Sequence, residues 1–127
     1  IRYYSGKAVY HNSFEMNEVT KKTKIILDLG NVIAMAKVRI NGKDAGGTWS
    51  IPWHVDISKM VKPGKNVMEI EVVNTWTNRL IGDCLLPENE RKTWVSFNWF
   101  SSGYTPIQPA GLLGPVQIQM FDYNLKK

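Results

Sequence analysis

Three stretches of the chain alternate apolar and polar residues with a period of two: Ala36-Lys37-Val38-Arg39-Ile40, Met68-Glu69-Ile70-Glu71-Val72 and Val116-Gln117-Ile118-Gln119-Met120. Successive side chains of an extended strand point to opposite faces, so each stretch reads as a strand with one face on a core and one in water. Ala8 to Phe14 predicts a further strand, and the more uniformly apolar Lys24 to Leu29 reads as one covered on both sides. No segment carries a long helical stripe, which excludes helix-dominated folds. The turns agree. Asn41-Gly42-Lys43 suits a tight hairpin, because Asn and Gly tolerate positive φ, and Lys62-Pro63-Gly64-Lys65-Asn66 leads a second turn into the Met68 strand. Asp56 to Val61 predicts one short helical turn. The fold class that follows is all-β: an antiparallel β-sandwich or jelly roll.

Composition bounds the rest. The 127 residues, 43% of them hydrophobic, can build one core but not two, so residues 1–127 read as a single domain. Sixteen Lys+Arg against eleven Asp+Glu give a net charge of +5, yet along the sequence the cations are dispersed. The tightest groups, Lys21-Lys22 with Lys24 and the terminal Lys126-Lys127, read as solvated surface, so nucleic acid is not an expected partner. No run approaches the roughly 20 apolar residues of a membrane-spanning helix, and no membrane partner is expected. Cys84 is the single cysteine, so an internal disulfide and a thiolate metal site are excluded. The chain opens at Ile1 without a Met or a signal peptide, in sequence that already reads as folded, which predicts a domain cut from a longer protein.

One stretch stands outside the alternation. From Thr75 to Pro115 little strand signal occurs beyond Trp94 to Phe100, and loops longer than about 12–15 residues are uncommon unless functional. This stretch holds Trp76, Trp94, Trp99, Phe100 and Tyr104 beside Asn78, Arg79, Asp83, Glu88, Glu90 and Arg91. A pyranose ring offers an apolar face and a rim of hydroxyls, so a sugar site wants flat aromatic rings next to amide, carboxylate or guanidinium groups. Trp76 with Asn74, Asn78, Arg79 and Asp83 supplies that mixture, and Trp49 and Trp53 on the Gly46-Gly47 loop could form a second wall. Against this stands a bland alternative: the tryptophans largely fill the core, Trp76 caps a strand, and Arg79 pairs with Asp83 merely to fold the loop.

Catalysis within the chain has less support. Glycoside hydrolysis needs two carboxyls about 5–5.5 Å or about 6.5–9.5 Å apart. Asp83, Glu88 and Glu90 share one loop, but Arg79, Arg91 and Lys92 lie among them as ion-pair partners. Neither His11 nor His54 belongs to a nucleophile signature, and His54 reads as a partly exposed strand residue. No catalytic residue is assigned.

The runs Val38-Arg39-Ile40-Asn41-Gly42-Lys43, Gly46-Gly47-Thr48-Trp49-Ser50-Ile51-Pro52-Trp53-His54-Val55-Asp56-Ile57 and Pro63-Gly64-Lys65-Asn66 resemble the sugar-binding jelly roll of glycoside hydrolase family 2, as does Ala110 to Val116. Tyr4 to Tyr10, Asn74-Thr75-Trp76-Thr77-Asn78-Arg79-Leu80-Ile81-Gly82-Asp83, Leu86-Pro87 and Arg91-Lys92-Thr93-Trp94 are similar to the C-terminal galactose-binding-like domain of family 106 rhamnosidase-type enzymes. The resemblance implies a non-catalytic β-sandwich appended to a catalytic barrel in a periplasmic or extracellular enzyme that degrades plant or microbial polysaccharide. Its partners would be carbohydrate and the catalytic domain of the same chain. The long Asn74 to Thr93 loop would reach into that domain, with Arg79 and Asp83 at the interface. An autonomous carbohydrate-binding module and a purely structural brace remain open. No cofactor is implied beyond the structural calcium that related sandwiches often hold, and no D-x-D set of oxygen ligands stands out.

Overall fold

Asn41 and Gly42 both adopt left-handed backbone (φ 52° and 77°), as a two-residue hairpin turn requires. They join β4 (Met35–Ile40) to β5 (Lys43–Thr48). The computed structural model describes residues 2–96, 100 and 105–122. Its other strands are β1 (Lys7–Met16), β2 (Thr23–Asp28), β3 (Val32–Ile33), β6 (His54–Asp56), β7 (Gly64–Val73), β8 (Gly111–Leu112) and β9 (Gln117–Asp122). All pair antiparallel, giving a sheet of order β1-β7-β4-β5, a sheet of order β6-β2-β9 and the short pair β3-β8. The expected antiparallel β-sandwich is the fold.

The alternation places the core. Ala36, Val38 and Ile40 of β4 and Met68, Ile70 and Val72 of β7 point inward, while Lys37 and Arg39 stay in water. Ile25, Leu27, Leu29 and Ile57 meet them at 0% exposure, each burial being worth about 1.5–3 kcal/mol. Strand β2 differs from its reading as a strand covered on both sides: Lys24, Ile26 and Asp28 remain partly exposed, because its sheet has a facing sheet on one side only. Strand β9 is covered less than its pattern predicts. Ile118 packs on the core, but Val116 and Met120 stay exposed where the flank between β1 and β9 is open. That opening holds about 460 Å³ and is lined by Tyr10, Phe14, Met68, Ile70 and Ile118.

The tryptophans do not fill this aliphatic core. Trp53 packs against it, whereas Trp49, Trp76 and Trp94 are exposed and Trp99 lies outside the described residues, as does Tyr104. Gly46 and Gly47, read as a loop, lie instead on β5, with Trp49 just beyond its end. The predicted helical turn is present, with the Met60 and Val61 amides donating to the Ile57 carbonyl.

Register sorts the connections to two ends. At one end β1, β4, β6 and β9 begin and β2, β5 and β7 finish, and the Ala34 amide donates to Val73 O while that of Leu29 donates to Trp53 O. This end carries Tyr4, Met35, Trp49, Ile51, Trp76 and Leu113, all exposed. The opposite end is polar and is closed by Asn66, a fully buried side chain that bonds both the amide and the carbonyl of Lys62, the Gly64 carbonyl and the Asn41 side chain.

Candidate functional site

The stretch after β7 is not a long loop. Residues Thr77–Cys84 form helix α1, and Glu88–Glu90 make a single 3-10 turn. Trp76 is the N-cap residue of α1, but its side chain makes no capping bond and it stands 62% exposed. The helix buries Asn78, Ile81, Gly82 and Asp83. Two of those four are polar, so burial requires that they find partners.

They find them in the backbone of distant segments. The Asn78 side chain donates to Gln108 O at 2.8 Å and accepts from Gln108 N at 2.9 Å, which seats residues 105–110 on the helix. Asp83, 1% exposed, accepts from the amides of Lys92 (3.2 Å) and Thr93 (2.8 Å) and from the Thr93 hydroxyl. Asn74, just ahead of the helix, accepts from Gly6 N at 2.8 Å and donates to Tyr4 O at 2.9 Å. Helix α1 and its approach thus fasten three separate pieces of chain to the end of the sandwich.

Arg79 and Asp83 stand one turn apart, with Nη2 and Oδ1 separated by 3.1 Å. The atoms are close but not aligned as a hydrogen bond, and Arg79 Nε is buried without a hydrogen-bond partner. Of the two expectations for this pair, the geometry matches the internal one, with the carboxylate sealed inside the domain. Burial opposes charge on Asp83, but the bonds from Thr93 and Lys92 and the Arg79 charge outweigh it and hold its pKa below 3.8.

The predicted site residues therefore fall into groups. Asn74 and Asn78 line one recess of about 260 Å³, together with Tyr4, Tyr10 and Gln108. Arg79 and Asp83 do not line it and act on α1 as scaffold, and Trp76 stands exposed at the head of the helix. Trp49 lies on a different connection of the same end, 75% exposed, while Trp53 turns inward onto the core. Sequence reasoning missed Ile51, 83% exposed between them, although its flanking Pro52 marked a projecting loop. It also gave no role to Trp94, which follows the anchored Thr93 and is 86% exposed. Among the described residues no three His, Cys, Asp or Glu side chains converge as a metal site.

Comparison with known proteins gives a consistent set. The sequence model of the "Glycosyl hydrolase 2 galactose-binding domain-like" family matches residues 2–81. A protein of Formosa agariphila that carries the provisional name beta-glucuronidase is 38% identical, over 94% of this chain and 12% of its own length. The structure of a rhamnosidase from Novosphingobium sp. superposes with a TM-score of 0.84 at 38% identity, over 94% of this chain and 11% of that one. A beta-D-glucuronidase structure from Dictyoglomus thermophilum aligns with a TM-score of 0.53 at 32% identity, over 58% of this chain and 13% of that one. The chain thus spans about one eighth of the length of these relatives.

Proposed function

The chain belongs to the glycosyl hydrolase 2 galactose-binding domain-like family, and from that premise we propose that it is a non-catalytic accessory domain of a larger glycoside hydrolase of rhamnosidase type. It docks through its aromatic end on the catalytic domain of the same chain, in an enzyme that degrades polysaccharide in the periplasm or outside the cell. The observation that carries this reading is the placement of Trp49, Ile51 and Trp76 at one end, 75%, 83% and 62% exposed. Large apolar side chains gathered on a surface mark a contact made with something else. Trp and Tyr at such places supply wide, stiff contact area, and a few of them typically dominate an interface.

A second reading follows from the recess beside α1. Tyrosine rings and amides around about 260 Å³ suit one sugar unit, which would make the chain a carbohydrate-binding module in its own right. Titration of the isolated chain with rhamnose- and galactose-containing oligosaccharides separates the two. Heat that disappears in Tyr10→Ala and Gln108→Ala supports the module, and silence supports docking.

The docking reading also sets an expected result for a double variant. Trp49→Ala with Trp76→Ala should leave the stability of the isolated chain within about 0.5 kcal/mol for each change, because exposed side chains contribute little. In the full-length enzyme the same pair should lower the unfolding temperature and raise KM. An unchanged full-length enzyme would refute docking at this end.

A further inference from the structure

The polar end of the sandwich collects lysines that the sequence keeps apart. The turn ahead of β2 carries Lys21 and Lys22, Lys24 follows on the strand, and the helical turn after β6 carries Lys59. These four side chains line a single recess of about 570 Å³ together with Thr20 and Ser58. Lys43 at the start of β5, Lys62 on the connection into β7 and Lys65 at the start of β7 lie at the same end.

The recess has a fixed frame. Ser58 Oγ accepts from the Ile25 amide at 2.8 Å and donates to Asp56, tying the helical turn to β2. Thr23 bonds the Thr20 hydroxyl at 2.8 Å and Asp122 at 3.0 Å, which holds the Lys21-Lys22 turn against β9. The carboxylates nearby, Asp56 and Asp122, are thus engaged by hydroxyls, and among the described residues none forms an ion pair with Lys21, Lys22, Lys24 or Lys59. Ser58 hydrogen bonds, then the charges of Lys24 and Lys59, hold the Asp56 carboxyl below 3.8. Ammonium groups around a concave, hydroxyl-bearing wall concentrate field on whatever anion enters.

We propose that this recess binds the carboxylate or sulfate groups of an anionic polysaccharide. The chemistry fits spaced anionic substituents: the four lysines supply the charge, and the hydroxyls of Thr20, Thr23 and Ser58 hold the wall that carries them. Among the described residues the lining contains no aromatic ring for stacking a nucleobase, which sets it apart from single-stranded nucleic-acid grooves. The choice of a glycan among polyanions rests on the accessory-domain reading above. The site itself lies at the opposite end from the docking surface, so the two stand or fall by different measurements.

Affinity electrophoresis of the 127-residue chain tests it, in gels containing polygalacturonate, dextran sulfate or neutral dextran. Retardation is expected by one or both polyanions and not by dextran. Polygalacturonate alone would identify carboxylate as the ligand group, and dextran sulfate alone would identify sulfate. Lys21→Glu with Lys59→Glu should weaken binding about tenfold or more, because those charges face the ligand directly. Lys7→Glu with Lys92→Glu changes net charge equally away from the recess and should leave binding within about twofold. Equal loss in both pairs, no retardation at all, or tighter binding of duplex DNA than of either glycan would overturn the proposal. Loss of docking in the tryptophan variants with retardation intact would leave it standing.

Discussion

Asp83→Ala is expected to destabilise the domain by about 3–5 kcal/mol, the usual cost of removing one partner from a buried ion pair. Asp83 is 1% exposed and is the shared acceptor for Lys92, Thr93 and the Arg79 charge. Its removal leaves two amides and a guanidinium in a site that water reaches poorly. Asp83→Asn should cost less, since an amide oxygen still accepts from Thr93, although the Arg79 charge then has no counterion. Denaturant unfolding of both variants checks the order. The same carboxylate predicts an acid transition. Its folded pKa lies below the 3.8 of the free side chain, so its contribution is complete above that value and is lost as pH falls through the lower one. Stability should therefore drop below about pH 4 in the parent chain and respond less to pH there in Asp83→Ala. Asp44 and Asp56, also depressed, act in the same direction and set the residual slope of the variant.

Asn66→Ala should be the second severe substitution, costing about 3 kcal/mol. Each buried polar group left without a partner costs about 1–3 kcal/mol, and this one side chain serves several. It donates to Lys62 O at 2.7 Å and Gly64 O at 2.9 Å, and it accepts from Lys62 N at 2.9 Å and Asn41 Nδ2 at 2.8 Å. Asn41 in turn donates to Met60 O and accepts from Val67 N, so one amide network joins the β4–β5 turn to the lead of β7. Asn66→Asp keeps the acceptor but turns a buried carboxylate oxygen toward the Lys62 and Gly64 carbonyls, and it should destabilise at least as much as alanine in thermal unfolding near neutral pH. A loss below about 1 kcal/mol for Asn66→Ala would mean that water replaces these bonds, against the full burial of the side chain.

The strands were legible in the sequence because a half-buried sheet writes its period directly into the residues, as Ala36 to Ile40 and Met68 to Val72 do. Helix α1 was not. It is short, and its buried face carries Asn78, Gly82 and Asp83 beside Ile81, so no apolar stripe announces it. Its stability comes from bonds to Lys92, Thr93 and Gln108, residues 9 to 30 positions away, which no local pattern reveals. An internal Arg79–Asp83 pair was legible only as one of two readings of a loop, and the unforeseen helix supplies the spacing of four that brings the groups together. The sequence left the tryptophans open between core and exposed wall; Trp49 and Trp76 are exposed and Trp53 packs inward, because the aliphatic layers of the two sheets already fill the interior. Lys59 lies far along the chain from Lys21 and Lys22, and only the antiparallel register of β2 and β6 brings them to one recess.

Hydrogen exchange of the full-length enzyme against the isolated domain tests the central claim most directly. Docking through the aromatic end predicts added protection at residues 29–35, 49–53 and 74–80, with exchange around residues 20–24 and 58–62 unchanged. Equal exchange at residues 49–53 and 74–80 in the two samples would contradict it.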